Sequence, residues 1–181
     1  MTIQTTAQAF ETYRAEAAHQ DRPADAESLK LALRTLGGGV SVITAGADET
    51  RTGATVTSAT ALSIDPPRML VSLNRSSSTW PVVERFGHFG VNILGARHEA
   101  VAQQFAGAGG LKGPDRYRGA DWTSLVSGAP VLADAAAVID CEVEEAIERY
   151  SHVIVIGRVL AIRIGEGHSL LYQNGRYHGL S

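Results

Sequence analysis

Cysteine is almost missing from this chain. Cys141 is the only one in 181 residues, so no disulfide framework within the chain can brace the fold, and a reducing compartment is expected. Charge is sparse too: 19% of residues are charged, the formal net charge is -3, and the pI is near 6.1. No basic field is present to gather nucleic acid or an anionic membrane surface, so neither is expected as a partner. No apolar run reaches the roughly 20 residues of a membrane-spanning helix. The opening stretch, MTIQTTAQAFETYRAEAAHQ, has no basic start followed by an apolar core. A cytoplasmic protein is the expectation. Its 44% hydrophobic content is enough for one domain with a full core.

The signatures of protein-borne chemistry are also missing. The six histidines are scattered, and no H-x-x-x-H, C-x-x-C or carboxylate–histidine spacing suits a metal. Gly107, Gly109, Gly110 and Gly113 imitate a phosphate loop, but no strand precedes them and no Gly-Lys-Ser/Thr follows. Gly37-Gly38-Gly39 follows a helix and precedes a strand, the reverse of a dinucleotide fingerprint. There is no G-x-S-x-G elbow. Cys141 falls on the apolar side of a strand pattern and reads as an inert core thiol. If the chain is an enzyme, its reactive group is borrowed.

Short strands dominate what is there. Residues 1–24, rich in Ala, Gln and Glu, are expected to be a helical or mobile extension, and residues 25–181 the folded domain. Asp25 suits an N-cap, with Leu29, Ala32, Leu33 and Leu36 at helical spacing behind it and Gly37-Gly38-Gly39 as the stop. Residues 40–44, 88–94, 137–148 and 151–164 read as strands, and 97–105 as a short helix. Residues 107–128 are Gly-rich and irregular, a length that marks a functional or mobile loop. Ile139, Cys141 and Val143 alternate with Asp140, Glu142 and Glu144, which predicts one solvated face. Gly157 predicts a bend or bulge, and Asn174-Gly175 a terminal hairpin. The pattern predicts a mainly β protein with inserted helices, a Greek-key barrel and not a β–α–β sheet.

Residues 53–81, GATVTSATALSIDPPRMLVSLNRSSSTWP, are unusual for strands in carrying many hydroxyls and few charges. Two such segments flank the turn Asp65-Pro66-Pro67, and the second runs into Ser76-Ser77-Ser78-Thr79 ahead of Trp80-Pro81. Backbone groups of Thr55, Val56, Thr57 and Ser58 suit the polar edge of a flavin ring, and Ser77 and Thr79 at a helix start suit a phosphate. Strand-edge fillers and N-caps explain the same hydroxyls equally well. Borrowed flavin chemistry asks the protein only to hold the ring and leave a slot for a reductant.

From about Leu31 to the C-terminus the chain resembles the flavin reductase family with an FMN-binding split barrel, the small NAD(P)H:flavin oxidoreductases that supply two-component monooxygenases. The matching text is G-V-S-V-I-T at 39–44, G-A-T-V-T-S-A-T-A-L-S at 53–63 with P-P at 66–67, and L-N-R-S-S-S-T-W-P at 73–81. It continues with H-F-G-V-N-I-L at 88–94, G-A-P-V-L at 128–132, S-H-V-I-V-I-G-R-V at 151–159 and L-L-Y-Q-N-G-R-Y at 170–177. The resemblance implies a homodimer with FMN or FAD as cofactor, NADH or NADPH as reductant, and a flavin-dependent monooxygenase supplied by flavin diffusion. It places the flavin against Ala54, Thr55, Val56, Thr57, Ser58, Thr60 and Ala61, then Leu73, Asn74, Arg75, Ser77 and Thr79, with help from the loop following Phe105. It puts His152 on the nicotinamide side as a positioning residue, not an obligatory acid or base. Where many of the relatives it most resembles carry Gly-Asp-His, this chain has Tyr150-Ser151-His152.

Tyr177 suits a wall of the same slot or plain packing. Asn92 suits the flavin or a strand-end hydrogen bond. Arg75 and Lys112 are the cations nearest the expected phosphate. A flavin carrier without turnover, and a split-barrel oxidase with its own small substrate, are the competing functions.

Overall fold

The computed structural model describes residues 24–180, so the expected extension at residues 1–24 falls, except for Ala24, outside the described residues. The chain divides into two units, Met1–Leu36 and Gly37–Ser181, a break twelve residues later than the sequence boundary at 24. In the first unit, helix α1 (Ala26–Arg34) starts at Asp25, whose carboxylate accepts the Ser28 amide at 2.7 Å. Thr35, and not the glycine run, closes it: the Thr35 amide donates to the Ala32 carbonyl and the Leu36 amide to the Leu33 carbonyl, each at 3.1 Å. Gly38 and Gly39 form strand β1 (Gly38–Gly39) instead, a correction to their expected role as a helix stop.

The second unit is mainly β with inserted helices. Its strands are β1, β2 (Ser41–Ala45), β3 (Thr52–Val56), β4 (Ala59–Ser63), β5 (Arg68–Asn74), β6 (His88–Ile93), β7 (Trp122–Ser124), β8 (Pro130–Leu132), β9 (Ala137–Arg149), β10 (His152–Ile164), β11 (Leu170–Gln173) and β12 (Arg176–Gly179). Helix α2 (Trp80–Phe86) lies between β5 and β6, and α3 (Glu99–Phe105) follows β6. Asn174 and Gly175, both at positive φ, make the tight turn between β11 and β12.

The seven-stranded sheet runs β3-β2-β6-β9-β10-β5-β4, antiparallel at every step. Its two edge strands, β3 and β4, are consecutive in the chain with only Thr57 and Ser58 between them. Three peptide steps span at most about 11 Å. The edges of a flat seven-stranded sheet stand roughly 29 Å apart. The sheet must therefore curl until its edges meet, yet β3 and β4 share no ladder. The barrel is split at residues 57–58, as the predicted Greek-key split barrel requires.

Bulges in the long β9–β10 hairpin help the curl. The register passes from Ile156–Glu145 to Gly157–Val143, leaving Glu144 as the extra residue, and later skips Leu160. Gly157 is needed there because a Cβ would meet Phe89 Cζ at 2.5 Å and Cys141 Cβ at 2.9 Å. Two cores result. Ile43, Val71, Leu73, Phe89, Cys141 and Val155 fill one, while Val42, Leu94, Phe105, Leu132 and Val138 belong to the other. Strand β2 sits between them, and all five of its residues are buried.

The expectation of a solvated face on β9 fails at Asp140, which has no exposure. Its carboxylate accepts the Ser127 amide at 2.7 Å and the Ser127 hydroxyl. The segment before β8 covers this end of β9 and supplies the donors, a long-range event that local alternation cannot register. Burial, with the Asp140 charge adding, pushes the Cys141 thiol up to about 12. It is a neutral core thiol.

Candidate functional site

The split in the barrel opens a groove of about 250 Å³. One wall is Ala54, Thr55 and Val56 of β3 with Thr57 and Ser58 of the link. Ser72, Leu73 and Asn74 of β5 and Ser77 beyond it form the other, and His152 closes one side. The β5–β10 ladder makes this convergence necessary: Asn74, the last residue of β5, pairs with His152, the first of β10. Nine residues expected at a cofactor site thus line one groove: Ala54, Thr55, Val56, Thr57, Ser58, Leu73, Asn74, Ser77 and His152.

Most hydroxyls at this mouth are already engaged. Thr55 Oγ1 donates to the Ala102 carbonyl at 2.6 Å, tying β3 to α3. Ser58 Oγ donates to the Ser72 carbonyl at 2.9 Å, tying the link to β5. Ser76 Oγ donates to Asn74 Oδ1 at 2.8 Å, and Ser78 Oγ pairs with Thr52 Oγ1 at 3.3 Å. The Trp80 amide at the start of α2 donates to Ser77 Oγ at 3.4 Å. Capping and bracing bonds thus occupy most of this cluster. Thr57 differs: it is exposed, and its hydroxyl bonds no described residue.

The free edge of β3 is covered only at its start. Tyr117, whose phenol is pushed up by burial and stays protonated, donates to the Thr52 carbonyl at 2.6 Å. Arg116 Nη1 donates to the Gly53 carbonyl at 2.6 Å. Among the described residues, no other backbone-to-backbone bond reaches residues 54–58 beyond the β2–β3 ladder. An open strand edge with alternating donors and acceptors is what a planar polar ring edge can pair with.

Other expected residues lie elsewhere. Thr60 and Ala61 point from β4 to solvent and do not line the groove. Thr79 is fully buried, with Oγ1 unpartnered, and only its carbonyl serves α2, accepting the Val82 and Val83 amides. Phe105 is buried against Tyr117 and Trp122, with ring centroids 5.0 and 5.4 Å away. The loop after it reaches a second hollow through Ala106. That hollow, about 200 Å³, shares Thr55, Val56 and Thr57 with the groove and is walled by Tyr172 and Tyr177, whose rings stand 5.0 Å apart. Burial pushes the Tyr177 phenol up, with Tyr172 and Glu99 adding to the effect. Asn92 is wholly buried and structural: Nδ2 donates to the Val42 carbonyl at 2.9 Å and Thr44 Oγ1 at 3.1 Å, and Oδ1 accepts the Leu132 amide at 2.7 Å. Lys112 is exposed and outside the groove.

At His152, Nδ1 stands 2.9 Å from Ser151 Oγ, so a neutral hydroxyl orients the ring. The Arg75 guanidinium is turned into this hairpin and does not line the groove. Its Nη2 lies 2.7 Å from the Glu148 carboxylate, and its Nη1 donates to the Tyr150 carbonyl at 3.3 Å. Sequence reasoning missed Ser72, Tyr172 and Val40, while Ala106 belongs to the expected loop after Phe105. Alternation along β5, with Met69, Val71 and Leu73 buried, would have put Ser72 on the same face as Asn74.

Comparison with known proteins gives one consistent answer. Residues 33–181 match the flavin reductase like domain. The chain is 35% identical over 148 residues to the FMN reductase (NADH) RutF of Bradyrhizobium diazoefficiens, covering 81% of each chain. It is 34% identical over 143 residues to HsaB, the reductase subunit of a flavin-dependent monooxygenase of Rhodococcus jostii, covering 78% of this chain and 71% of that one. Among solved structures, the Streptomyces globisporus NADH:FAD oxidoreductase SgcE6 in complex with NAD and FAD fragments superposes with a TM-score of 0.80 at 27% identity, over 91% of this chain and 98% of that one.

Proposed function

Because this chain belongs to the flavin reductase-like family, we propose that it is an NAD(P)H:flavin oxidoreductase that reduces FMN or FAD and supplies the reduced flavin to a partner monooxygenase. The observation that carries the reading is the groove at the barrel split, where nine residues from three separate segments meet. Its residues suit a flavin. The uncovered edge of β3 offers donors and acceptors to the polar rim of the ring, Thr57 offers an unengaged hydroxyl, and Val56 offers apolar contact. Ser77 and Asn74 would offer neutral polar groups to the phosphate-bearing chain.

A bound flavin would supply the two-electron redox chemistry, as acceptor of a hydride from the nicotinamide. The protein's part is placement. Thr55 and Ser58, locked by their internal bonds, fix the wall, while His152 and Tyr177 flank the approach of the reductant. Proximity and alignment then supply much of the acceleration, and no protein nucleophile takes part. The groove carries no free cation among its lining residues, which suits an affinity modest enough for flavin to leave.

The chain acts as a homodimer in the cytoplasm. Exposed Ile162 and Ile164 on β10 offer apolar surface for a second copy. Among the described residues, no helix is long and apolar enough to cross a membrane. NADH oxidation with added FMN or FAD, followed by loss of reduced-nicotinamide absorbance, tests the reading. No flavin-dependent loss with either nucleotide would refute it, and retained flavin binding in that case would mark a carrier.

A further inference from the structure

The turn that precedes His152 is held from outside its own hairpin by Arg75, the residue just past the end of β5. Tyr150 and Ser151 alone join β9 to β10, with Tyr150 at φ 52 and its side chain 96% exposed. A non-glycine residue in the left-handed region persists only where its surroundings fix it, and this side chain packs on nothing. The fixing comes from Arg75. Its amide donates to the Ser151 carbonyl at 3.0 Å, its Nη1 to the Tyr150 carbonyl at 3.3 Å, and its Nη2 lies 2.7 Å from the Glu148 carboxylate. Ser151 in turn meets His152 Nδ1 at 2.9 Å. Arg75 follows Asn74 directly, so the same backbone that lines one side of the groove fixes the histidine on the other.

We propose that Arg75 is a positioning residue for the reductant side, and not a flavin-phosphate ligand: with Glu148 it clamps the Tyr150–Ser151 turn and so sets where the His152 imidazole stands over the groove. The inference rests on the reading of this groove as the site of flavin reduction. It gives the nearest expected cation a different task from neutralising phosphate.

The variants Arg75→Ala, Glu148→Ala and the charge swap Arg75→Glu/Glu148→Arg test it, with three readouts on the full chain. FMN dissociation constants from fluorescence titration should stay within about twofold of wild type, since no direct contact is lost. The kcat/KM for NADH should fall about three- to tenfold in both single variants, as misplacement of an orienting group does. The swap should recover part of that loss, because it restores the ion pair but leaves the Tyr150 carbonyl without its donor. Amide hydrogen exchange across residues 149–153 should speed up in the single variants and slow in part again in the swap. FMN affinity more than about tenfold weaker in Arg75→Ala, with Glu148→Ala unchanged, would make Arg75 a phosphate ligand and overturn the proposal. Unchanged exchange in both single variants would overturn it as well. If wild type itself oxidises no NADH with flavin, the functional reading fails, while the exchange data still decide the clamp.

Discussion

Replacing Thr57 and Thr55 separately by valine distinguishes a hydroxyl that faces the ligand from one that braces the wall. Both residues line the groove and both lie on its β3 side. Thr55 Oγ1 is committed to the Ala102 carbonyl at 2.6 Å, and that carbonyl also accepts the Ala106 amide at 3.0 Å. Losing the Thr55 hydroxyl therefore leaves no buried carbonyl orphaned, and the stability cost should stay near the ordinary 0.5–1.5 kcal/mol of one net hydrogen bond, about 1 kcal/mol. Flavin affinity should move less than about twofold. Thr57 makes no hydrogen bond to a described residue and sits beside Gly38, where a Cβ would meet Thr57 Cβ at 2.9 Å. Its hydroxyl is free to meet the ligand. Removing it should weaken FMN binding by the same net 0.5–1.5 kcal/mol, roughly two- to tenfold in dissociation constant, without lowering the melting temperature. Fluorescence titration and a thermal melt on each variant measure both quantities. Equal weakening in the two variants would refute the reasoning, because it would mean that Thr55 abandons its internal bond for the flavin.

Two further substitutions test the scaffold. Asn92→Ala should cost about 2–4 kcal/mol, since it leaves the buried Leu132 amide without its 2.7 Å acceptor and opens a void. The melting temperature should fall by roughly 5–15 °C while FMN affinity, measured well below the transition, stays within about twofold; lost affinity with an unchanged melt would return Asn92 to the flavin site. At Asp134, burial pushes the carboxyl up, but the His98 and Arg97 side chains, each 3.2 Å away, outweigh it and leave it below the ordinary range. A carboxyl lowered by folding stabilises above its unfolded value near 3.8 and loses that contribution as pH falls through the folded value. Asp134→Asn should therefore cost up to about 1 kcal/mol at neutral pH, given the exposure of the pair, and close to nothing near pH 2. Urea unfolding at both pH values checks this, and a gap of equal size at both would count against it.

Strands were legible wherever one chain segment determined its own pattern. The β11–β12 turn followed from Asn174-Gly175, the bulge from Gly157, and the helix start from Asp25. Features that depend on distant segments were not legible. Asp140 looked solvent-facing because nothing near it in sequence announces Ser127 as a donor. Thr79 looked like a phosphate ligand because its position before a helix says nothing about its complete burial. Arg75 looked like a free cation because its partner Glu148 lies seventy-three positions away, across a strand pairing that no local pattern predicts. The hydroxyl cluster posed a further difficulty. Each Ser or Thr has one local use and one ligand use, and only the three-dimensional bonds of Thr55, Ser58 and Ser77 tell which is taken.

Topology explains why these hydroxyls gather where they do. A sheet whose first and last strands are neighbours in sequence must bring two unpaired edges together, and exposed edges invite wrong pairing. Here Arg116 and Tyr117 cover the start of β3, and Thr55 and Ser58 fasten its far end to α3 and β5. What stays uncovered is the short stretch around Thr57, facing a groove that Asn74 and His152 close from the other side. The bonds that stop the edge from aggregating thus also hold it rigid for a ligand, so binding flavin requires little ordering of the wall. Arg75 is turned into the hairpin, and no Lys, Arg, Asp or Glu lines the groove. For the proposed function, a rigid wall would supply the alignment that hydride transfer needs, and a lining without fixed charge would let the reduced flavin leave.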